Sequence, residues 1–351
     1  SLAKSLINKK INVHYYHKKG NGNFSSNRTI GISKSNFEFF KEKIFQISKN
    51  NYWKINRIEI YTDKIDTENL LKFENDKNDL FYIIKNDELL KSLKSNLIKS
   101  KFFKKIILKN NINEETLNKK EYDLIINCDA NNFLAKKYFT KKISKNYYNL
   151  AYTTILKHKK IENNIATQIF TKQGPIAFLP ISNTETSVVY SIDIENKKFD
   201  NSDVIDLINK NNPKYKINKI DKLNSFELSS SNLRNYYHKN ILAFGDMLHR
   251  VHPLAGQGFN MTIRDLKILT KIIEDKIELG MQLDTSILEE FEKKTKDKNF
   301  VFSKAIDLIY ESFNLDKKVQ NKSFSKILKS IGKNKNLNNY FIKLADSGIN
   351  L

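Results

Sequence analysis

Hydrophobic and polar positions along the chain follow two different periods. Spacing of three and four residues between apolar positions predicts amphipathic helices at 2–7, 36–47, 88–99, 222–229 and 263–277, the last ending at Gly280. Alternating or continuous apolar runs predict strands at 11–16, 58–61, 80–84, 106–108, 124–128, 150–156, 166–170, 176–179, 187–192 and 241–244. Everything after Gly245 is expected to be mostly helical.

The order of these elements predicts an α/β fold in which one domain is interrupted by a β-rich excursion. We expect a discontinuous first domain, a β-rich second domain and a C-terminal helical region, with the boundaries 1–54, 83–140 and 236–285 for the first, 55–82 and 141–235 for the second, and 286–351 for the third. A chain that opens on a helix and then a strand is typical of a βαβ unit, so we expect the first strand and its loop to precede Ser1.

Charge changes the list of possible partners. The chain of 351 residues has a formal net charge of +22, but only five of its 61 basic residues are arginines. Proteins that read nucleic-acid grooves rely on the planar fork of arginine, so no nucleic-acid partner is expected. Scattered surface lysines are compatible with weak attraction to an anionic membrane surface.

Other composition features bear on the compartment. No apolar run approaches the ~18–20 residues that span a bilayer, and the first residues do not resemble a secretory signal. The single cysteine, Cys128, excludes an internal disulfide, and its place at the end of an apolar strand predicts a small buried thiol. These features together favour a cytoplasmic protein.

The stretch from Gly245 to Asn260 carries the most specific chemistry. A strand that ends in Gly245-Asp246 offers a carboxylate to hydroxyl groups, and the following glycines let backbone N–H groups approach a ligand. The helix that begins there adds partial positive charge at its N-terminus. Alone, the Gly-Asp pair is also compatible with a turn whose aspartate caps a helix. The continuation through His252-Pro253 is too particular for a generic turn.

The residues from Gly245 to Asp265 resemble the second flavin motif of FAD-dependent aromatic hydroxylases, and the wider chain resembles the ubiquinone-biosynthesis hydroxylases of that group. The resemblance implies a Rossmann-like FAD-binding domain beside a β-rich substrate domain. It implies that Asp246 holds the ribityl chain and that the following segment lies over the isoalloxazine. The cofactor-binding residues expected here are Gly245, Asp246, Pro253, Gly256, Gln257, Gly258, Phe259 and Asn260.

Further matches follow in chain order. In the segment that leads into residues 29–33, Arg28 resembles the family arginine that contacts FAD, although a lone loop arginine is most often only solvated. The strand that starts at Gly174-Pro175 resembles the family strand that faces the substrate side of the flavin, although a plain β-turn has the same residues. Asp129 stands at the position of the aspartate in a family Asp-Gly motif.

The sequence also departs from the family pattern. No Gly-x-Gly-x-x-Gly is present, and Gly20-Asn21-Gly22 opens no helix. His17 stands where an acidic residue for the adenosine ribose is expected, Ala130 replaces the family glycine, and Lys136 stands where arginine is usual.

The resemblance implies an FAD-dependent monooxygenase that hydroxylates the aromatic ring of a polyprenylated ubiquinone precursor, with NAD(P)H as electron donor and O2 as oxidant. No catalytic acid or base is expected, because the flavin carries the chemistry. Peripheral association with the inner face of the cytoplasmic membrane and with other quinone-biosynthesis proteins is implied. His249 and His252 have no ligand cluster around them, so no metal site is expected.

Two alternatives remain open from the sequence. One is a flavin hydroxylase or reductase acting on another aromatic or isoprenoid substrate. The other is a non-catalytic flavin-fold protein that serves as a binding or assembly subunit, which the absent glycine-rich loop, His17 and Ala130 motivate.

Overall fold

A computed structural model describes residues 1–18, 28–62, 69–74, 79–108, 122–195 and 199–319, together with Lys343, Asp346 and Gly348. The Gly20-Asn21-Gly22 stretch and most of the helical region expected after residue 319 lie outside these residues. The fold is mixed α/β, as the sequence predicts.

Seven helices are present in the described ranges: α1 (Leu2–Asn8), α2 (Lys34–Phe39, continued by a π-helical turn at Phe40–Ile44), α3 (Asn86–Ile98), α4 (Phe133–Tyr138), α5 (Asn201–Lys210), α6 (Gln257–Glu278) and α7 (Ser286–Val319). The described strands are β1 (Val13–Lys18), β2 (Thr29–Ser33), β3 (Tyr52–Ile55), β4 (Arg57–Thr62), β5 (Leu71–Glu74), β6 (Phe81–Lys85), β7 (Phe103–Leu108), β8 (Ile125–Asn127), β9 (Lys142–His158), β10 (Ile165–Phe170), β11 (Pro175–Pro180), β12 (Glu185–Asp193), β13 (Ile217–Ile220), β14 (Asn224–Leu233), β15 (Tyr237–His238), β16 (Ile241–Ala243) and β17 (His249–Arg250).

The largest sheet is built around the long strand β9. Its order is β17-β14-β9-β12-β11-β10-β4-β5, and β13 also pairs with β9. One face of this sheet packs on α5, whose Val204 and Ile208 are buried in a cluster with Phe178 and Tyr190. A capping box between Asp200 and Asp203 starts α5, a helix that the apolar spacing did not predict.

The helix predicted at 222–229 is wrong, because these residues lie mostly in β14. Leu228, Ser230 and Asn232 are buried in alternation, as in a strand, and β14 pairs with β9 in antiparallel register along its full length. Leu223 and Phe226, three residues apart, gave the segment an apparent helical spacing, but pairing with a distant strand decides its conformation.

Smaller sheets frame the other half of the molecule. β1 pairs in parallel with β7, β8 pairs in parallel with β16, and β2, β6 and β3 form an antiparallel sheet. Helices α2 and α6 and the start of α7 pack around the largest apolar core, which includes Phe40, Leu242, Leu266 and Phe291. The predicted domain boundaries stay a prediction.

The expectation of a buried Cys128 is wrong. Cys128 follows the last residue of β8 and is exposed as a residue, because the chain has already left the sheet and turns towards Asp129. Protein atoms around the thiol still desolvate it and raise its pKa to about 11.

Candidate active site

Two carboxylates predicted from the sequence meet at one edge of the parallel pair β8–β16. Ala243 lies opposite Asn127, and the Phe244 N–H donates to the Asn127 carbonyl at 2.9 Å, so both strands end together. Asp129 and Asp246 follow these strand ends and are exposed. Asp129 also accepts the Asn131 N–H at 2.8 Å, which fixes its own turn. The structure therefore brings Asp129 and Asp246 to the same sheet edge.

Two of the predicted glycines are required by the backbone. Gly245 has φ +68° and Gly256 has φ +63°, in the left-handed region that side-chain-bearing residues rarely adopt. A Cβ at Gly245 would meet no atom within 4 Å, so the conformation and not the available space calls for glycine there. These turns deliver the chain to the strand edge and to the start of α6.

The N-terminus of α6 has no side-chain cap. Its N-cap, Gly256, provides no side-chain hydrogen bond, and the first turn contains no acidic residue. The first backbone N–H groups of a helix lack partners within the helix and carry partial positive charge. Gln257 is buried, whereas Gly258 and Phe259 are half-buried beside this end. An anionic group placed against this turn would be stabilised.

Asn260 fixes the position of that helix end. Its side chain is fully buried; it accepts the Ser33 N–H at 2.9 Å and donates to the carbonyls of Gly31 and Gly256, each at 3.1 Å. Asn36 donates to its oxygen at 3.0 Å. These bonds tie β2 and α2 to the first turn of α6, so the Asn260 amide positions the helix end through protein contacts.

Phe81 lies in the same region and was not found from the sequence. A Cβ added to Gly31 would lie 2.0 Å from Cε1 of Phe81, and one added to Gly256 would lie 3.7 Å from its Cζ. The ring therefore lies between β2 and the turn at Leu254–Gly256. An aromatic residue in a short alternating strand carries no sequence signal for this placement.

Arg28 lies next to the start of β2 and is exposed. Its carbonyl accepts the Asn86 N–H at 3.0 Å, and its guanidinium carbon lies 5.7 Å from the centre of the Phe226 ring on β14. The side chain thus bridges towards the large sheet by a cation–π contact. Its predicted contact with a cofactor stays a prediction.

The Gly174-Pro175 turn joins β10 to β11 and is tightly packed. Gly174 has φ +142°, and a Cβ there would lie 1.9 Å from the Ser191 carbonyl oxygen. Pro175 pairs opposite Phe170, which belongs to a buried apolar cluster with Leu70 and Phe313. Leu254 packs against this cluster. The structure therefore places the turn at the same end of the sheet as the loop that contains Pro253.

His249 is held by a carboxylate sixteen residues further along the chain. Its Nε2 lies 2.5 Å from Oδ2 of Asp265 on α6, and both side chains are 1% exposed. Asn299 on α7 donates to Oδ1 of Asp265 at 2.9 Å. This buried triad joins the loop after Asp246 to both long helices. An aspartate within the buried stripe of α6 was the signal that the sequence offered.

His252, directly before Pro253, lies between two tyrosines. Its ring stands edge-on to Tyr147 at 4.9 Å and stacks on Tyr310 at 4.3 Å, measured between ring centres. Tyr147 donates a hydrogen bond to Asp307 on α7. His252 is 1% exposed, and neither ring nitrogen has a hydrogen-bond partner in the described part of the chain. Within the same residues, no group of three or more His, Cys, Asp or Glu side chains is placed to hold a metal ion.

Comparison with known proteins shows which families and relatives this chain resembles. Residues 143–293 match the family model described as an FAD binding domain. The chain is 24% identical over 357 residues to the ubiquinone biosynthesis monooxygenase COQ6, mitochondrial, of Caenorhabditis elegans, covering 83% of this chain and 78% of that protein. Its matches to relatives of the same name in Xenopus tropicalis and Danio rerio span about half of their length.

Solved structures agree on the fold. The p-nitrophenol 4-monooxygenase PnpA from Pseudomonas putida superposes with a TM-score of 0.77 at 11% identity, covering 100% of this chain and 95% of PnpA. Klebsiella pneumoniae HpxO, solved with FAD and uric acid, gives a TM-score of 0.74 at 11% identity, covering 99% of this chain and 94% of HpxO.

This chain is similar in sequence and in fold to FAD-dependent monooxygenases. The predicted α/β fold is confirmed by the solved structures. The matched family model and the relatives agree with the predicted enzyme class and with FAD as its cofactor.

The residues of the site fit FAD. The uncapped N-terminus of α6 suits the negative N1/O2 edge of a reduced flavin, and exposed Asp246 suits the hydroxyls of a ribityl chain. Asp129 stands at the same edge as Asp246. The individual contacts of these residues with FAD stay predictions.

The buried imidazole of His252 predicts a loss of stability in acid. Burial, reinforced by the positive charge of Lys145, lowers the pKa of His252 from 6.5 to about 3. In the unfolded chain this imidazole is therefore protonated below about pH 6.5, whereas in the folded protein it stays neutral down to about pH 3. The free energy of unfolding therefore keeps its full value above pH 6.5 and decreases as the pH falls, by about 2 kcal/mol at pH 5.

The measurement is urea unfolding of the parent protein and of His252→Phe at pH 7, 6 and 5. Phenylalanine keeps a ring between the tyrosines but cannot take up a proton, so the variant is expected to lose about 2 kcal/mol less between pH 7 and pH 5. Equal losses in the two proteins would show that His252 is not the group responsible.

Proposed function

We propose that this protein is an FAD-dependent hydroxylase of ubiquinone biosynthesis that acts on the aromatic ring of a polyprenylated precursor, with NAD(P)H as electron donor and O2 as oxidant. The observation that carries the proposal is the convergence of two features on the loop before α6. Asp246 and the uncapped helix N-terminus suit a flavin, and Leu254 of the same loop packs against apolar clusters beneath the large sheet.

The surroundings of Leu254 suit an apolar substrate. Leu254 packs against three buried clusters, and these contain Tyr147 and Tyr310, Val251 and Phe302, and Phe170 and Phe313. An aromatic ring held over this loop would be shielded from water, which FAD-based oxygen transfer requires. When bound, FAD supplies the oxygen-transfer chemistry, and the protein holds and orients the reactants. The relatives named as ubiquinone biosynthesis monooxygenases support this substrate class.

We further propose that the protein works at a membrane surface, where a polyprenylated substrate resides, on the inner face of the cytoplasmic membrane and beside other quinone-biosynthesis proteins. The net charge of +22 supports attraction to anionic lipid. Among the described residues, no helix is both long and apolar enough to cross a bilayer.

The experiment is oxidation of NADH or NADPH by the purified flavoprotein, started with a polyprenylated phenol in detergent and carried out under ¹⁸O2. We expect oxidation stimulated by the prenylated phenol and one ¹⁸O atom in the hydroxylated ring. The matched substrate is the same phenol without the prenyl chain, which should stimulate poorly. Equal turnover of the two phenols would favour another aromatic substrate. FAD binding without any substrate-stimulated oxidation would favour a non-catalytic subunit.

A further inference from the structure

Helix α7 carries a regular apolar stripe on its outer face. Its inner face is buried through Phe302, Ile306, Tyr310 and Phe313. On the opposite side Val301 is 42% exposed, Leu308 is 64% exposed and Leu315 is 60% exposed. We define the α7 stripe as Val301, Ala305, Leu308, Ser312 and Leu315.

The spacing of the α7 stripe is that of a coiled-coil contact. Its members follow one another at steps of four, three, four and three residues, so they form a single line along the helix. Residues at these positions insert as knobs between the residues of a facing helix. Small residues at Ala305 and Ser312 leave room for a partner's leucines. The stripe therefore suits a helix as its partner.

Charges beside the stripe select the partner. Lys304 and Glu311 lie on the same flank, one turn before and one turn after Leu308. If a second α7 lies antiparallel across a two-fold axis at Leu308, each Lys304 faces the other copy's Glu311. The two side chains already contact Asp307 and Lys145 within the chain, yet they keep 45% and 50% of their surface exposed. Self-complementarity of this kind is what a two-fold interface requires.

We propose that α7 forms an antiparallel, two-fold interface with a second copy of this chain, centred on Leu308. An anionic membrane suits the stripe less well, because exposed Asp297 and Glu311 lie along it together with Lys304, so the flank is of mixed charge and not uniformly basic. Helices that bind anionic lipid surfaces place lysines and arginines beside their apolar face. The proposal is independent of the flavin chemistry proposed above.

Cross-linking tests the geometry of the interface. In a Cys128→Ser background, Leu308→Cys is treated with a short bis-maleimide; because Leu308 lies on the axis, a covalent dimer is expected. Val301→Cys alone should not link to itself, whereas Val301→Cys mixed with Leu315→Cys should link. The control is Leu279→Cys, which is 73% exposed at the end of α6 and off the stripe. Self-linking of Val301→Cys as efficient as that of Leu308→Cys would overturn the antiparallel arrangement.

Sedimentation velocity of the full chain tests the interface itself. We expect a concentration-dependent dimer whose dissociation constant rises at least about tenfold in Leu308→Lys, because a charge would be buried, and stays unchanged in Leu279→Lys. Lys304→Glu and Glu311→Lys should each weaken the dimer, and the double exchange should restore it. A monomer at all concentrations would overturn the proposal. Loss of flotation on anionic vesicles in Leu308→Lys, with unchanged sedimentation, would assign the stripe to a membrane instead.

Discussion

Replacement of Asp265 by alanine is expected to lower the free energy of unfolding by about 3–5 kcal/mol, measured by urea denaturation of the FAD-free protein. The carboxylate is 1% exposed and is held by His249 and by the side-chain amide of Asn299. Its removal leaves both partners buried with unmade hydrogen bonds, and each such group costs roughly 1–3 kcal/mol. A small cavity adds to the loss.

A matched control is available on the same helix. Asp275 of α6 forms an exposed ion pair with Lys271, so Asp275→Ala is expected to change stability by less than about 1 kcal/mol. Asp265→Asn keeps the size of the side chain and one acceptor, so its loss of unfolding free energy should lie between those of Asp265→Ala and Asp275→Ala. If Asp265→Ala were no more destabilised than Asp275→Ala, the hydrogen bonds of Asp265 with His249 and Asn299 would not stabilise the packing of the loop on α6 and α7.

Asp246→Ala is expected to weaken FAD binding on the order of 100-fold, about 3 kcal/mol, with little change in the stability of the FAD-free protein. Hydrogen bonds from sugar-like hydroxyls to a carboxylate contribute roughly 1.5–3 kcal/mol each, and a ribityl chain can make more than one. Asp246 is exposed at the strand edge, so its removal opens no cavity in the core. Quenching of FAD fluorescence on titration with apoprotein measures the affinity.

The control for this prediction is Asp297→Ala, which removes another exposed carboxylate, on α7, and should leave FAD affinity unchanged. Comparable FAD affinities of Asp246→Ala and Asp297→Ala would show that Asp246 does not contribute to FAD binding. If Asp246→Ala instead unfolded the apoprotein, the carboxylate would be a structural residue of the turn.

Local pattern predicted helices α1, α2, α3 and α6, where neighbouring residues decide the conformation. Helix α6 follows the predicted stripe and ends before Gly280, which adopts φ +66°. The predicted turn at Gly245-Asp246 is present, because a strand end, a left-handed glycine and a helical turn follow one another within one short segment. The same reasoning failed at β14, where pairing with β9 outweighs the local spacing.

The sequence by itself determined the fold class and predicted FAD as the cofactor, because the turn from Gly245 into α6 is a contiguous motif whose chemistry depends on adjacent residues. Only the tertiary structure decided which groups hold that turn in place. Asp265 meets His249 and Asn299 because α6 and α7 pack together, and His252 lies between Tyr147 and Tyr310 because β9 and α7 meet over the loop. Contacts between residues far apart in sequence carry no periodic signal, so burial and pairing of this kind appear only once the chain is folded.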